Sequence, residues 1–117
     1  MNIIIKGTGF SLTPAIKDYV DQKIGGLEKF LTHVNLSGVE ARVEVGRITE
    51  HHHKGNVYRA EVNLILPGQM LRVEAESDDV YAAIDAVHDE LKRQIVSKKE
   101  KKLGISRRVA RRLDKGE

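Results

Sequence analysis

Three runs of apolar–polar alternation follow one another in the middle of the chain, and they limit its fold more than any other feature. Val39, Ala41, Val43 and Val45 alternate with Glu40, Arg42 and Glu44. Tyr58, Ala60, Val62, Leu64 and Leu66 alternate with Arg59, Glu61 and Asn63, and Leu71, Val73 and Ala75 alternate with Arg72, Glu74 and Glu76. A period of two sends successive side chains to opposite faces, so each run predicts a strand with one buried and one wet face. Pro67-Gly68 is a turn dipeptide, and short connections between one-sided strands predict an antiparallel meander.

The dry face of that meander needs a cover, and the flanking segments have the periodicity to supply it. Ile16, Val20, Ile24, Leu27 and Leu31 are spaced by three or four, one face of a helix. Thr13 is placed to cap it, with Pro14 at the first helical position, where a missing N–H costs nothing. Gly25-Gly26 weakens the helix by roughly 1 kcal/mol per Gly relative to Ala, but the stripe continues past both, so one helix is expected throughout. Val80, Ile84, Val87, Leu91 and Ile95 form a second stripe, introduced by Ser77-Asp78-Asp79 with Ser77 or Asp78 as cap. Ahead of both helices, Asn2 to Lys6 reads as a strand closed by Gly7-Thr8-Gly9. The order β-α-β-β-β-α predicts an α+β single domain: a four-stranded sheet with two helices packed on one face. A length of 117 residues suits one domain, and no internal repeat appears.

The formal charge of +3 conceals a division. Residues 1–91 carry 9 basic and 14 acidic groups, a net of −5, whereas residues 92–117 carry 11 basic and 3 acidic groups, a net of +8. An acidic body with a basic end points to an anionic partner, nucleic acid or a membrane surface. After Ile95, Ser97 to Lys102 places cations at successive angles of about 100°, so this turn encircles the helix and should project beyond the sheet, with Gly104 ending it. Ser106 to Leu113 could form a further short helix, marginal alone in water. Two arginine pairs and four lysines suit phosphate neutralisation. Neither Trp nor Phe occurs after residue 30, so little apolar surface is available for a membrane. With only Phe10, Tyr19, Phe30, Tyr58 and Tyr81 as aromatics, no base-stacking platform is visible, and recognition by backbone and shape is expected, as is common for RNA.

Other chemistry finds little support. The absence of Cys excludes disulfides, zinc–thiolate sites and thiol catalysis. No apolar run reaches about 18 residues and the first strand is too short for a signal-peptide core, so a cytoplasmic protein is expected. His51-His52-His53, with Glu50 and His33 or His88, is the candidate metal cluster. Adjacent histidines in a loop point in different directions, however, and a solvated hairpin loop is the plain reading, with RNA contact and metal binding as the others. Tyr81 should cover a core edge with its hydroxyl wet, and His88 should sit at a boundary. Asp78, Asp79, Asp85, Asp89 and Glu90 read as ordinary helix stabilisers rather than paired catalytic carboxylates. No Ser-His-Asp order or phosphate-cradling Gly loop is present, so no active site and no cofactor are expected.

Asp79-Val80-Tyr81-Ala82-Ala83-Ile84-Asp85, followed by Leu91-Lys92-Arg93-Gln94-Ile95 and a lysine cluster, closely resembles the ribosome hibernation-promoting factors, also called the ribosome-associated inhibitor or sigma-54 modulation protein family. Ile3-Ile4-Ile5-Lys6-Gly7, Leu12-Thr13-Pro14-Ala15-Ile16, Tyr19-Val20 with Lys23, and Leu27-Glu28-Lys29-Phe30 agree with the same family, so the resemblance covers about residues 1–103. It implies a domain similar in outline to double-stranded-RNA-binding domains. It also implies a translation inhibitor, monomeric when free, that occupies the mRNA and tRNA channel of the small ribosomal subunit against 16S rRNA. By position, the resemblance assigns rRNA contacts to Lys23, Arg93, Lys99 and Lys101; charge alone adds Lys92, Lys98 and Lys102. Ser97 and Gly26 stand where the family commonly has basic residues. The expected division is a ribosome-binding domain over 1–103 and a basic tail over 104–117. That is a short form whose Arg107, Arg108, Arg111 and Arg112 also face RNA, where one short subtype carries an acidic tail. A free-standing double-stranded-RNA binder, a His-cluster metalloprotein and a tail that docks a protein remain the alternatives.

Overall fold

The alternating runs become three strands of a four-stranded mixed sheet, and the computed structural model describes residues 1–32, 34–48 and 55–102, with backbone alone for 99–102. Strands β1 (Asn2–Thr8), β2 (Glu40–Ile48), β3 (Val57–Leu66) and β4 (Gln69–Ser77) lie in sequence order across the sheet. The β2-β3-β4 meander is antiparallel, with a two-residue turn at Pro67-Gly68 between the paired Leu66 and Gln69. Gly68 takes φ 77°, which an L side chain resists and glycine accepts. Strand β1 adds to β2 in parallel, a pairing that needs a crossover; helix α1 (Pro14–Gly25) supplies it. Helix α2 (Val80–Lys102) follows β4.

Register decides which side chains meet. Ile5, Val43, Val62 and Val73 form one row across the sheet, and Ile3, Ala41, Leu64 and Leu71 the next. These rows pack with Ile16, Val20 and Ile24 of α1, and with Val80, Ile84, Val87, Leu91 and Ile95 of α2, into one core. Side chains as completely buried as Leu64 and Leu91 each contribute about 1.5–3 kcal/mol.

The opposite sheet face is charged. Glu44, Glu61 and Glu74 stand directly opposite one another on β2, β3 and β4, an arrangement that like charges alone would disfavour. Arg59 relieves it by donating to Glu74 and, at 2.9 Å, to Glu61, while Arg72 reaches Glu61 at 3.4 Å. The Arg59 guanidinium holds the Glu74 carboxyl below its usual range.

Three local expectations change. The stripe beyond Gly25-Gly26 is not α-helical: Gly26–Phe30 form a 3-10 turn, yet Leu27 and Leu31 still reach the core. The residue flanking α2 is Asp79 rather than Ser77 or Asp78: its carbonyl accepts from Ala83 N–H at 3.1 Å and its carboxylate from Tyr81 N–H at 3.4 Å. Strand β1 runs through Gly7 and Thr8, and the turn falls on Gly9, at φ 77°. The Thr13 cap forms as expected, its hydroxyl accepting from Ile16 N–H at 3.1 Å.

Candidate nucleic-acid interface

The two helices lie side by side on the sheet, and three contacts fix how. Tyr19 meets Tyr81 edge to face at 4.9 Å between ring centroids, Lys23 pairs with Asp85 at 3.4 Å, and Lys92 lies over the Phe30 ring at 5.2 Å. Each contact joins positions separated by the same sequence interval, so the helices run in the same direction and share one basic end. The Met1 amino group near Glu28 at 3.7 Å and Lys98 on Gln69 at 3.2 Å place that end beside the starts of β1 and β4. Lys23, in the last turn of α1, also complements the negative pole of that helix's dipole.

The sequence-expected cations are not equivalent. Lys92 and Lys29 both approach Phe30, at 5.2 and 5.3 Å, and make no ion pair among the described contacts. Lys23 is half-buried and engaged: besides Asp85, it lies 5.7 Å from the Tyr19 ring. Tyr19 in turn donates to Asp85 Oδ1 at 2.5 Å, and this bond, with some desolvation and the nearby carboxylate charge, pushes the phenol up to about 12. Arg93 is engaged too, its Nε and Nη2 donating to the two Glu90 carboxylate oxygens at 2.9 and 2.6 Å. Together with a bond from Gln94, that pair draws the Glu90 carboxyl down to about 2.

Lys92 therefore faces the 3-10 turn that follows α1, Lys98 reaches β4, and Arg93 stays with Glu90; the cations fan around α2 rather than line one face. Among the described side chains of α2 the last buried one is Ile95, while the helix continues to Lys102. Sequence reasoning left out Lys29 as a site residue and missed the joining of Tyr19, Tyr81 and Phe30 along one seam. An i, i+4 or i, i+3 search could not have found pairs joined only by the fold. The side chains of Lys99, Lys101 and Lys102, the segment 103–117 with Gly104, Arg107, Arg108, Arg111 and Arg112, and His33, Glu50 and His51 to His53 lie outside the described residues. Among the described residues, no three His, Cys, Asp or Glu side chains gather as a metal site, and no helix is long and apolar enough to cross a membrane. His88 sits at a boundary as expected, 19% exposed with Nδ1 2.9 Å from Asp89.

A family model described as "Sigma 54 modulation protein / S30EA ribosomal protein" matches residues 3–103. The chain is 37% identical over 101 residues to the ribosome hibernation promotion factor of Bacillus subtilis strain 168, an alignment that covers 86% of this chain and 50% of that one. It is 34% identical over 101 residues to the ribosome hibernation promoting factor of Klebsiella oxytoca, covering 86% of this chain and 96% of that one. The chain thus spans half the length of the first relative and nearly all of the second. Among solved structures, the Thermus thermophilus Protein Y N-terminal domain superposes with a TM-score of 0.67 at 33% identity, over 81% of this chain and 96% of that one. A ribosomal subunit interface protein from Coxiella burnetii, 24% identical, has the same fold at a TM-score of 0.62, over 85% and 98% of the two chains.

Proposed function

The chain belongs to the Sigma 54 modulation protein / S30EA ribosomal protein family, and on that footing we propose that it is a ribosome-binding hibernation factor acting in the cytoplasm as a monomer. Its action is occupancy rather than chemistry: the folded body fills the mRNA and tRNA path of the small subunit, and its basic end neutralises 16S rRNA phosphates. The observation that carries this reading is the shared direction of α1 and α2, which brings Lys23, Lys29, Lys92 and Lys98 to one end of an otherwise acidic body. Lys92, Lys29 and Lys98 supply ready cations, while Lys23 and Arg93 must exchange a carboxylate for a phosphate. Lys99, Lys101, Lys102 and the tail arginines Arg107, Arg108, Arg111 and Arg112 extend the same charge.

Co-sedimentation with purified small subunits across a salt series tests the proposal. Each neutralised phosphate contributes about −0.7 to −0.9 to the log–log slope, so affinity should fall steeply with salt. Changing Lys92, Lys98, Lys99 and Lys101 to Glu should abolish binding while thermal unfolding stays cooperative. Salt-independent binding, or full binding by that variant, would refute the electrostatic account. Equal affinity for a plain RNA duplex would replace it with a free-standing double-stranded-RNA binder.

A further inference from the structure

Tyr81 is one of three large apolar side chains left exposed among the described residues, at 36%. The other two, Ile4 at 46% and Met70 at 57%, lie on the charged sheet face, away from the helices. Tyr81 is different because it is held. Its ring meets Tyr19 at 88°, the Tyr19 hydroxyl is tied to Asp85, and Asp85 pairs with Lys23. An exposed ring, a buttressing ring, a carboxylate and an ammonium form one connected unit, so the orientation of Tyr81 is set before any partner arrives. Farther along the same seam, Phe30 carries Lys29 and Lys92.

Resting on the ribosome-binding reading above, we propose that this seam takes unpaired RNA, with an exposed base stacked on Tyr81 and neighbouring phosphates on Lys23 and Lys92. Alternation of aromatic rings with cations is the chemistry of single-strand binding, because every base offers a π-face and every linkage a charge. A duplex fits the seam poorly. Its bases are stacked within the helix and show only their edges in the shallow minor groove, leaving no π-face for Tyr81 to meet. The seam therefore selects splayed-out nucleotides, where backbone and shape readout alone would accept a helix.

Fluorescence anisotropy against labelled oligouridylate, which has little structure of its own, and against an RNA duplex of equal length separates the cases for wild type, Tyr81→Leu and Tyr81→Phe. Small-subunit co-sedimentation is read in parallel. Losing one stacked base should weaken oligouridylate binding by about 5- to 150-fold in Tyr81→Leu, with Tyr81→Phe close to wild type. The salt slope should not change in either variant, since no phosphate contact is removed. Failure of wild type to bind oligouridylate, or equal binding by Tyr81→Leu and wild type, overturns the proposal. Equal losses on single strand and duplex overturn it in favour of a purely structural role. A loss confined to the subunit, with oligouridylate binding intact, assigns Tyr81 to a protein contact instead. If wild type binds oligouridylate but no subunit, the ribosome reading fails while the single-strand reading stands.

Discussion

Glu90 and Tyr19 each have a partner that shifts their proton equilibrium, and the two shifts act at opposite ends of the pH scale. The Arg93 and Gln94 bonds hold Glu90 near 2, so its contribution to the folded state is complete above the ordinary carboxylate range and fades as pH falls toward 2. The bond to Asp85 raises the Tyr19 phenol from its ordinary 10.0 to about 12, so the stability it adds is complete below pH 10 and lost as pH rises through about 12. Phenolate absorbance should therefore contain a step near pH 12 that Tyr19→Phe deletes. Glu90→Gln should free the Arg93 guanidinium and tighten small-subunit binding, because Arg93 no longer has to leave a carboxylate to meet a phosphate. Neither pairing differs in sequence from dozens of ordinary neighbours. The charge of Lys23 and Arg93 is legible, but Asp85 comes to Lys23 only through the tertiary fold, and the choice of Glu90 over solvent by Arg93 is a side-chain matter.

At the scale of the element, periodicity carried most of the fold. The three strands and both buried stripes were legible because an apolar face repeats along each one. The break at Gly25-Gly26 was not, because over a single turn a spacing of three or four fits a 3-10 and an α geometry alike, and both glycines keep ordinary helical angles. The parallel partner of β1 was not legible either, since a period of two states which face is dry and not which strand lies alongside. Gly26 has open space where a Cβ would go, so Gly26→Ala should raise stability by about 0.4–1 kcal/mol in denaturant unfolding. Gly9→Ala should do the reverse, because φ 77° and a Cβ 2.9 Å from the Arg47 carbonyl oxygen leave it no relaxed position. Leu91→Ala opens a cavity where α2 meets the sheet and should cost about 2–5 kcal/mol by the same measurement.

Across the whole molecule, net charge says little and its placement says much. The basic end was readable from the split at Lys92, but the seam was not, because Tyr81 meets Tyr19, and Lys92 meets Phe30, only when the helices lie side by side. Reversing both ammoniums over Phe30, Lys29→Glu with Lys92→Glu, should remove about two phosphate contacts' worth of salt slope from small-subunit binding without altering the unfolding midpoint greatly. The side-by-side helices have a further consequence during synthesis. One wall of the seam, α1, precedes β2, β3 and β4, and the other, α2, follows them all. A nascent chain displaying α1 alone has neither the second wall nor the lysines of α2. On the proposed function, the surface that meets RNA is complete only once the whole sheet has been made and α2 has docked.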